Sequence, residues 1–231
     1  MKKIIIILQS RSSSKRLPGK ALRKINKIPI VMLCIKRLTN KNHKLIVATS
    51  KNKSDDKLVN FLIDNKISYY RGSLNNVLSR YVELAKNLNP SDLIVRATAD
   101  NIFPDGHLVN FLKNKIKKLN MDYIGIDHKL HFLPKGVGLE IFTAKKIINT
   151  SKLKLKKKHL EHVTLKIYKN KNKYKNIFFK KLKQSKDLSN IRVTIDTRKD
   201  YLFMKKFLKK IDNLYQVPYY KLIELLKNNF L

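Results

Sequence analysis

The sequence predicts an α/β fold, a three-layer α/β/α arrangement around a mostly parallel sheet. Three observations carry this expectation. Apolar runs at residues 4–8, 45–48, 67–70, 93–97 and 121–126 have the length of buried strands. Between them lie stretches with apolar residues at helical spacing. Alternation of this kind builds a parallel sheet with helices on both faces. With 231 residues, 43% of them hydrophobic, the chain is expected to form one domain, 1–231, around a large core.

The first strand, residues 4–8, runs directly into Gln9-Ser10-Arg11-Ser12-Ser13-Ser14-Lys15-Arg16-Leu17-Pro18-Gly19-Lys20. A buried strand that ends in a polar loop delivers that loop to the carboxyl edge of the sheet, where open α/β sheets hold their ligands. The loop carries Arg11, Lys15, Arg16 and Lys20, with hydroxyl and amide groups and no acid. Arg grips phosphate bidentately and Lys acts as a point charge, so the loop reads as a triphosphate cradle. Pro29 opens a helix in its first turn, with Val31, Cys34, Ile35 and Leu38 on one stripe, which makes Cys34 a core residue. Residues 45–48 form the second strand. Ser54 is the expected cap of the next helix, with Asp55 and Asp56 in its first turn and Leu58, Phe61 and Leu62 inward. Residues 67–70 form the third strand and 71–73 a turn; Val77, Tyr81, Leu84, Ala85 and Leu88 mark a helix. The fourth strand, 93–97, ends in Thr98-Ala99-Asp100-Asn101. Asp105 caps the helix after it, and 121–126 form the fifth strand.

From residue 127 the alternation loosens. Residues 136–142 read as a strand entered through glycines, and 152–158 as a basic helix face or loop. Residues 159–171 read as a helix and 177–182 as a strand, so 127–182 form a smaller β-containing excursion. Residues 191–195 form a further strand ending in Asp196-Thr197. Two helices close the chain, lined by Met204, Phe207, Leu208 and Ile211, then by Tyr219, Leu222, Ile223 and Leu226.

The net charge of +36 taken alone suggests nucleic acid or an anionic surface. The excess is lysine, 43 Lys against nine Arg, spread over the whole length. Lys, Asn and Ile share A/T-rich codons, so biased base composition accounts for the excess without a nucleic-acid partner. The one cysteine excludes an internal disulfide and a cysteine metal cluster, which fits a cytoplasmic location. No run approaches the ~18 apolar residues of a membrane span, and the apolar start is too short for a signal peptide. The chain contains no G-x-G-x-x-G, no complete Walker A loop and no nucleophile elbow.

Asp100 and Asp196 each follow a buried strand, on the edge that carries the cradle. Mg²⁺ takes one or two carboxylates together with phosphate oxygens and water, so these two are the candidate metal ligands; their alternative is helix capping, and Asp105 and Asp200 fit capping or surface roles better. Glu140 sits in an apolar strand and faces solvent, a cation or a site. His162 is a substrate hydrogen-bond donor, a partner of Glu140 or a helix-face histidine. Arg71 and Arg96 stand out because Arg is scarce; Arg96, Thr98 and Asp100 share a face if the strand is regular, and an Arg on that face points toward the site or pairs with an acid. Arg80 reads as a helix-surface ion-pair partner. No histidine shows metal-ligand spacing.

The segment from Gln9 to Lys20 resembles the N-terminal signature of the cytidylyltransferases that make CMP-activated sugar acids, the acylneuraminate and KDO cytidylyltransferase superfamily. It is most similar to the branch named after the spore coat polysaccharide biosynthesis protein F. Further segments match that branch in order: Tyr70-Arg71-Gly72-Ser73 with Val77-Leu78-Ser79-Arg80-Tyr81, Val95-Arg96-Ala97-Thr98-Ala99-Asp100-Asn101, residues 136–142, Glu161-His162-Val163-Thr164, and Val193-Thr194-Ile195-Asp196-Thr197 with Asp200. The resemblance covers nearly the whole chain. It implies a Rossmann-like nucleotide-diphospho-sugar transferase fold, a homodimer and the reaction of CTP with a sugar acid to give CMP-sugar and pyrophosphate, for cell-surface polysaccharide synthesis. It places Gln9, Arg11, Ser13, Arg16, Lys20 and Arg96 on the nucleotide, with Arg11 and Lys20 acting in catalysis. Asp100 and Asp196 would hold Mg²⁺ and serve catalysis, and Arg71, Glu140 and His162 would lie near the acceptor, with the excursion serving acceptor binding or dimerisation. Two positions depart from the pattern: Ala99 stands where the family has Gly, and Asn76 where it has Asp. The metal-binding position is intact, so the chain does not read as an inactive copy. The rival readings are a nucleotidyltransferase of the same fold with another nucleotide or a phosphate or phosphonate acceptor, and a nucleic-acid-binding protein.

Overall fold

The computed structural model describes residues 2–39, 41, 43–169, 177–209 and 211–230. Strand β1 (Ile4–Gln9) lies inside a six-stranded sheet of order β5-β4-β1-β6-β8-β7. Its neighbours β4 (Lys44–Ser50) and β6 (Leu93–Thr98) both run parallel to it, and β5 (Tyr69–Gly72) runs parallel to β4. The apolar composition of β1 follows from this position. Ile6 and Leu8 pack into one core and Ile7 into a second core on the opposite face, all three fully buried. A strand buried on both faces reads as a continuous apolar run because neither face meets water.

The larger core is covered by α1 (Ile30–Thr39), α2 (Asp56–Asp64), α4 (Gly106–Lys118), α8 (Arg198–Leu208) and α9 (Tyr219–Phe230). The second core is covered by α3 (Val77–Lys86), α5 (Ala144–Ser151) and the short α6 (Lys157–Glu161) and α7 (Leu165–Tyr168). The expected three-layer architecture is therefore the one observed. Arg37 is fully buried in α1 and donates to the carbonyls of Ile102, Phe103, Leu214 and Val217 at 2.5–2.8 Å. It fastens the C-terminal segment to the edge beyond β6. Burial lowers its pKa to about 10, so it stays charged at neutral pH.

Several local expectations are corrected. The strand read at 136–142 is confined to β8 (Glu140–Thr143), which pairs antiparallel with both β6 and β7 (Tyr123–Gly125). It thus enters the central sheet and does not belong to a separate β unit. Residues 177–182 form no strand: a 3-10 turn spans Lys180–Leu182. Phe179 and Leu182 drop into the core, and the Phe179 N–H donates to His131 Nε2 at 2.9 Å, not to a neighbouring strand. The helix read at 159–171 is broken after α6, because Thr164 turns inward; residues 170 and 171 lie outside the described residues. Residues 191–195 pair only through isolated bridges, Lys135 with Arg192 and Asn101 with Thr194. Ser54 does not cap α2: Asn52 caps the 3-10 turn Lys53–Asp55 ahead of it, accepting from the Ser54 N–H at 2.9 Å, and Asp55 stands at the α2 N-cap with its carboxylate turned to other donors. Arg71 and Gly72 continue β5 where a turn was expected. A hairpin of β2 (Lys24–Ile25) and β3 (Ile28–Pro29) precedes α1 and was not anticipated. Asn26 and Lys27 turn it with positive φ, the two-residue conformation that matches strand twist. Among the described residues, no helix is long and apolar enough to cross a membrane.

Candidate active site

The loop after β1 borders a cleft of about 640 Å³ at the carboxyl edge of the sheet. Its walls include Gln9, Ser10, Arg11, Ser13, Lys15, Arg16 and Lys20 from the loop, Thr98, Ala99 and Asp100 from β6, and Asp196. The loop is pinned at its apolar and turn residues and, at its end, through Lys20. Leu17 is 2% exposed and anchors in the core. Gly19 has φ 65°, a left-handed conformation suited to glycine, and its N–H donates to the Ser12 carbonyl at 3.3 Å. The fully buried carboxylate of Asp55, at the start of α2, accepts from Ser12 N–H at 2.5 Å, from Ser50 N–H at 3.1 Å and from the Ser50 hydroxyl. Arg11, Lys15 and Arg16 remain exposed, available to an anion in the cleft.

Asp100 and Asp196 meet at one cation. Lys20 Nζ lies 3.3 Å from Asp100 Oδ2, 3.3 Å from Asp196 Oδ1 and donates to the Ile195 carbonyl at 2.8 Å. Asp196 also faces Arg16 at 3.5 Å and pairs with Arg192. The convergence depends on the bridge between Asn101 and Thr194, which joins the segment before Asp196 to the end of β6. Gly136 permits it: at φ +115°, an added Cβ would stand 2.7 Å from Thr194 Oγ1 and 2.9 Å from the Thr194 nitrogen. Asp105 and Asp200 are capping residues, as expected. Asp105 accepts from Leu108 N–H at the start of α4, and Asp200 forms a capping box with Thr197 at the start of α8.

The all-oxygen set of Asp100, Asp196 and the Ile195 carbonyl suits a hard cation such as Mg²⁺. The two carboxylates would need phosphate oxygens to complete the coordination, since among the described residues no group of three or more His, Cys, Asp or Glu is placed to hold a metal. Cys34 is buried and its thiol is pushed up to about 12, first by burial and then by Asp100, so it is no nucleophile at neutral pH.

Four candidate residues, Arg71, Arg96, Glu140 and His162, do not reach this cleft. Arg96 sits opposite Glu140 in the β6–β8 ladder and its Nη1 donates to Glu140 Oε2 at 2.6 Å. Arg71 is taken up by the Ser50 and Asn52 carbonyls and by Asp56 at 2.7 Å, where it ties β5 to the turn before α2. His162 is exposed at the break between α6 and α7. Thr164, two residues later, is the one that meets Glu140, donating to Oε1 at 2.6 Å beside the Tyr123 hydroxyl, also at 2.6 Å. Burial would raise the Glu140 pKa, but Arg96 and the bonds from Thr164 and Tyr123 outweigh it and hold the carboxyl below its ordinary value. Arg80 is no surface residue: it is fully buried and donates to the carbonyls of Ser73, Ala48 and Leu74, shaping the loop before α3.

A second cavity of about 820 Å³ lies alongside, lined by Asn101, Tyr123, His128, Lys129, Lys135, Gly136, Glu140 and Thr194 among others. Asn101 and Thr194 connect it in sequence to Asp100 and Asp196. With Glu140 paired to Arg96, its remaining charges are Lys129, Lys135 and Lys169 against the one carboxylate of Asp127; the His128 pKa is lowered first by burial, with Asp127 opposing and Lys135 and Lys129 assisting. Sequence reading missed Asp55, Thr164, Arg192 and these cavity lysines. Asp55 carried a signal as an acid directly after a strand and its turn, and Thr164 through its place two residues after His162 in the matched segment; Arg192 and the lysines carried none.

A sequence profile of the cytidylyltransferase family matches residues 5–231. Spore coat polysaccharide biosynthesis protein SpsF of Bacillus subtilis is 30% identical over 236 residues, covering 99% of this chain and 96% of that protein. A cytidylyltransferase of Leptospira borgpetersenii has a structure similar to this one at a TM-score of 0.87, with 26% identity over 99% of this chain and 95% of that one. The fold is also that of a CMP:2-keto-3-deoxy-manno-octonic acid synthetase complexed with CTP, at a TM-score of 0.62 and 13% identity, covering 90% and 98% of the two chains. A Rossmann-like sheet with a basic loop and two carboxylates at its ligand edge thus agrees with the profile over almost the full length, and the chain belongs to the cytidylyltransferase family of nucleotidyltransferases.

Proposed function

We propose that the protein activates a sugar acid with CTP, giving a CMP-sugar and pyrophosphate. One observation supports this most: a cleft with phosphate-binding chemistry shares its edge with a larger cationic cavity, through Asn101 next to Asp100 and Thr194 near Asp196. The first space suits the triphosphate and the second an anionic acceptor. The acceptor's hydroxyl oxygen bonds to the α-phosphorus as the bond from that phosphorus to the bridging oxygen breaks. Pyrophosphate leaves, and the hydroxyl proton passes to solvent or to the acceptor's own carboxylate.

Arg11, Arg16 and Lys20 bind the β- and γ-phosphates and offset the charge that builds on the leaving group. Asp100 and Asp196 would hold Mg²⁺, which supplies charge neutralisation at the phosphate oxygens when bound. Gln9 and Ser13 line the same cleft and contribute polar contacts to the nucleotide. Lys129, Lys135 and His128 orient the acceptor through its acid group, while Glu140 keeps the cavity wall in shape through Arg96, Tyr123 and Thr164. Most of the rate gain then comes from positioning.

Pyrophosphate release with CTP against ATP, GTP and UTP, over a panel of sialic-acid-like and KDO-like sugar acids, tests the reading. Release with CTP and a sugar acid alone is the expected result. Release with another nucleotide, or with a phosphate or phosphonate acceptor that the lysines would also suit, replaces it. A homodimer in the cytoplasm serving surface-glycan synthesis is the setting this reading implies, and sedimentation of the purified chain tests the dimer.

A further inference from the structure

Lys20 occupies the place where the candidate metal would bind. Its Nζ is enclosed by three oxygens, Asp100 Oδ2 and Asp196 Oδ1 at 3.3 Å and the Ile195 carbonyl at 2.8 Å. The side chain is only 13% exposed, in contrast to the 64% of Arg16 on the same loop. A lysine that serves phosphates alone has no need of this lodging, because its stem can extend freely into the cleft.

We propose that Lys20 is a place-holding cation that keeps the carboxylate pair closed to free divalent metal and yields it only when a triphosphate arrives. This rests on the nucleotidyltransferase reading of the cleft. Asp196 keeps Arg192 and Arg16 on its Oδ2 side, but Lys20 is the cation that bridges Asp100 to Asp196, and its ammonium offsets their mutual repulsion in the empty protein. A metal entering alone has to displace the ammonium, which then has no anion to move to. A triphosphate in the cleft provides that anion, so the ammonium shifts a short way onto phosphate oxygens and releases Asp100 Oδ2 and Asp196 Oδ1, while Asp196 Oδ2 stays with Arg192. Metal and nucleotide therefore favour each other's binding, and the coupling is reciprocal. The consequence is selectivity for the metal–triphosphate pair over either component, set by a residue that exchanges the carboxylates for the phosphates.

The test is binding of Mn²⁺, a paramagnetic stand-in for Mg²⁺, to the protein without nucleotide, followed by electron paramagnetic resonance of the free ion. The unaltered chain is expected to bind weakly. Lys20→Met, which keeps the stem and removes the charge, is expected to bind Mn²⁺ at least about tenfold more tightly, equivalent to one pKa unit of charge interaction, while binding CTP less tightly. Adding Asp100→Asn to Lys20→Met should abolish the gain, which places the ion at the carboxylates. Thermal melts of all three proteins check that the fold is kept. An unchanged Mn²⁺ affinity in Lys20→Met, or a gain that survives Asp100→Asn, overturns the proposal. If the unaltered chain releases pyrophosphate from CTP in the assay above, such a result sinks the place-holder alone; if it releases none, the reading of the cleft fails and the proposal with it.

Discussion

Replacing Glu140 by Gln separates its charge from its hydrogen bonding. The carboxylate accepts 2.6 Å bonds from Arg96, Tyr123 and Thr164, and the side chains of Glu140 and Arg96 are only 18% and 20% exposed. Gln retains an oxygen for Tyr123 and Thr164 but turns a neutral amide toward the guanidinium. Arg96 then stays charged, largely buried and without its counter-ion. Breaking a buried pair from one side costs about 3–5 kcal/mol, and residual exposure puts the expected loss near the lower end, about 3 kcal/mol. At about 2–4 °C per kcal/mol for a chain of this size, the melting temperature should fall by roughly 6–12 °C. Arg96→Met in the Glu140→Gln background should recover most of that loss, because the stranded charge is gone. Melts followed by circular dichroism at neutral pH, with the double-mutant cycle, provide the measurement. A Glu140→Gln protein melting within about 2 °C of the parent would refute the buried-pair argument. The pH dependence has a definite sign. The folded carboxyl is held below its ordinary value, so its stabilisation is complete above about pH 4.5 and is lost as pH falls from there through the folded pKa. The Arg96→Met, Glu140→Gln protein should show a shallower acid limb.

Asp55→Ala removes the acceptor for Ser12 N–H, Ser50 N–H and the Ser50 hydroxyl; unfolding in urea should show a loss of about 3 kcal/mol, with weaker CTP binding as the loop loses its anchor, and unchanged CTP affinity would separate the loop's position from this carboxylate. Gly136→Ala introduces a Cβ against Thr194 at a φ that side chains rarely adopt; a loss of about 2 kcal/mol together with reduced turnover is expected, and a fully stable, active variant would show that the Asn101–Thr194 bridge does not set the position of Asp196. Asp100→Asn should lower turnover by about two orders of magnitude or more with the melting temperature nearly unchanged; near-normal pyrophosphate release would remove Asp100 from the metal site.

What could be read in advance follows the range of the interactions. Residues 4–8 announced a central strand because burial on both faces leaves no place for polar residues, and the loop from Gln9 to Lys20 announced its chemistry because its cations are local in sequence. Asp105 was legible as a cap for the same reason, since capping acts over three residues. Residues 177–182 failed as a strand because pairing depends on a neighbour that only the fold provides, and there His131 takes the N–H instead. Arg71, Arg80, Arg96 and His162 could not be told apart from sequence. An arginine that satisfies buried carbonyls and one that grips a ligand have the same composition around them, and only the partners differ.

The sequence by itself determined the sheet, its helical covers, the basic loop and the two strand-end acids, because these depend on hydrophobic periodicity and on residues adjacent in the chain. Tertiary structure alone decided that Lys20, Asp100 and Asp196 meet at one point, across separations of 80 and 176 residues. It also decided that Glu140 belongs to Arg96 and Thr164 and not to His162. The physical reason is the same in each case: a charge is stabilised by whichever opposite charge the packing of distant elements brings within about 4 Å, and that distance is not written in local sequence.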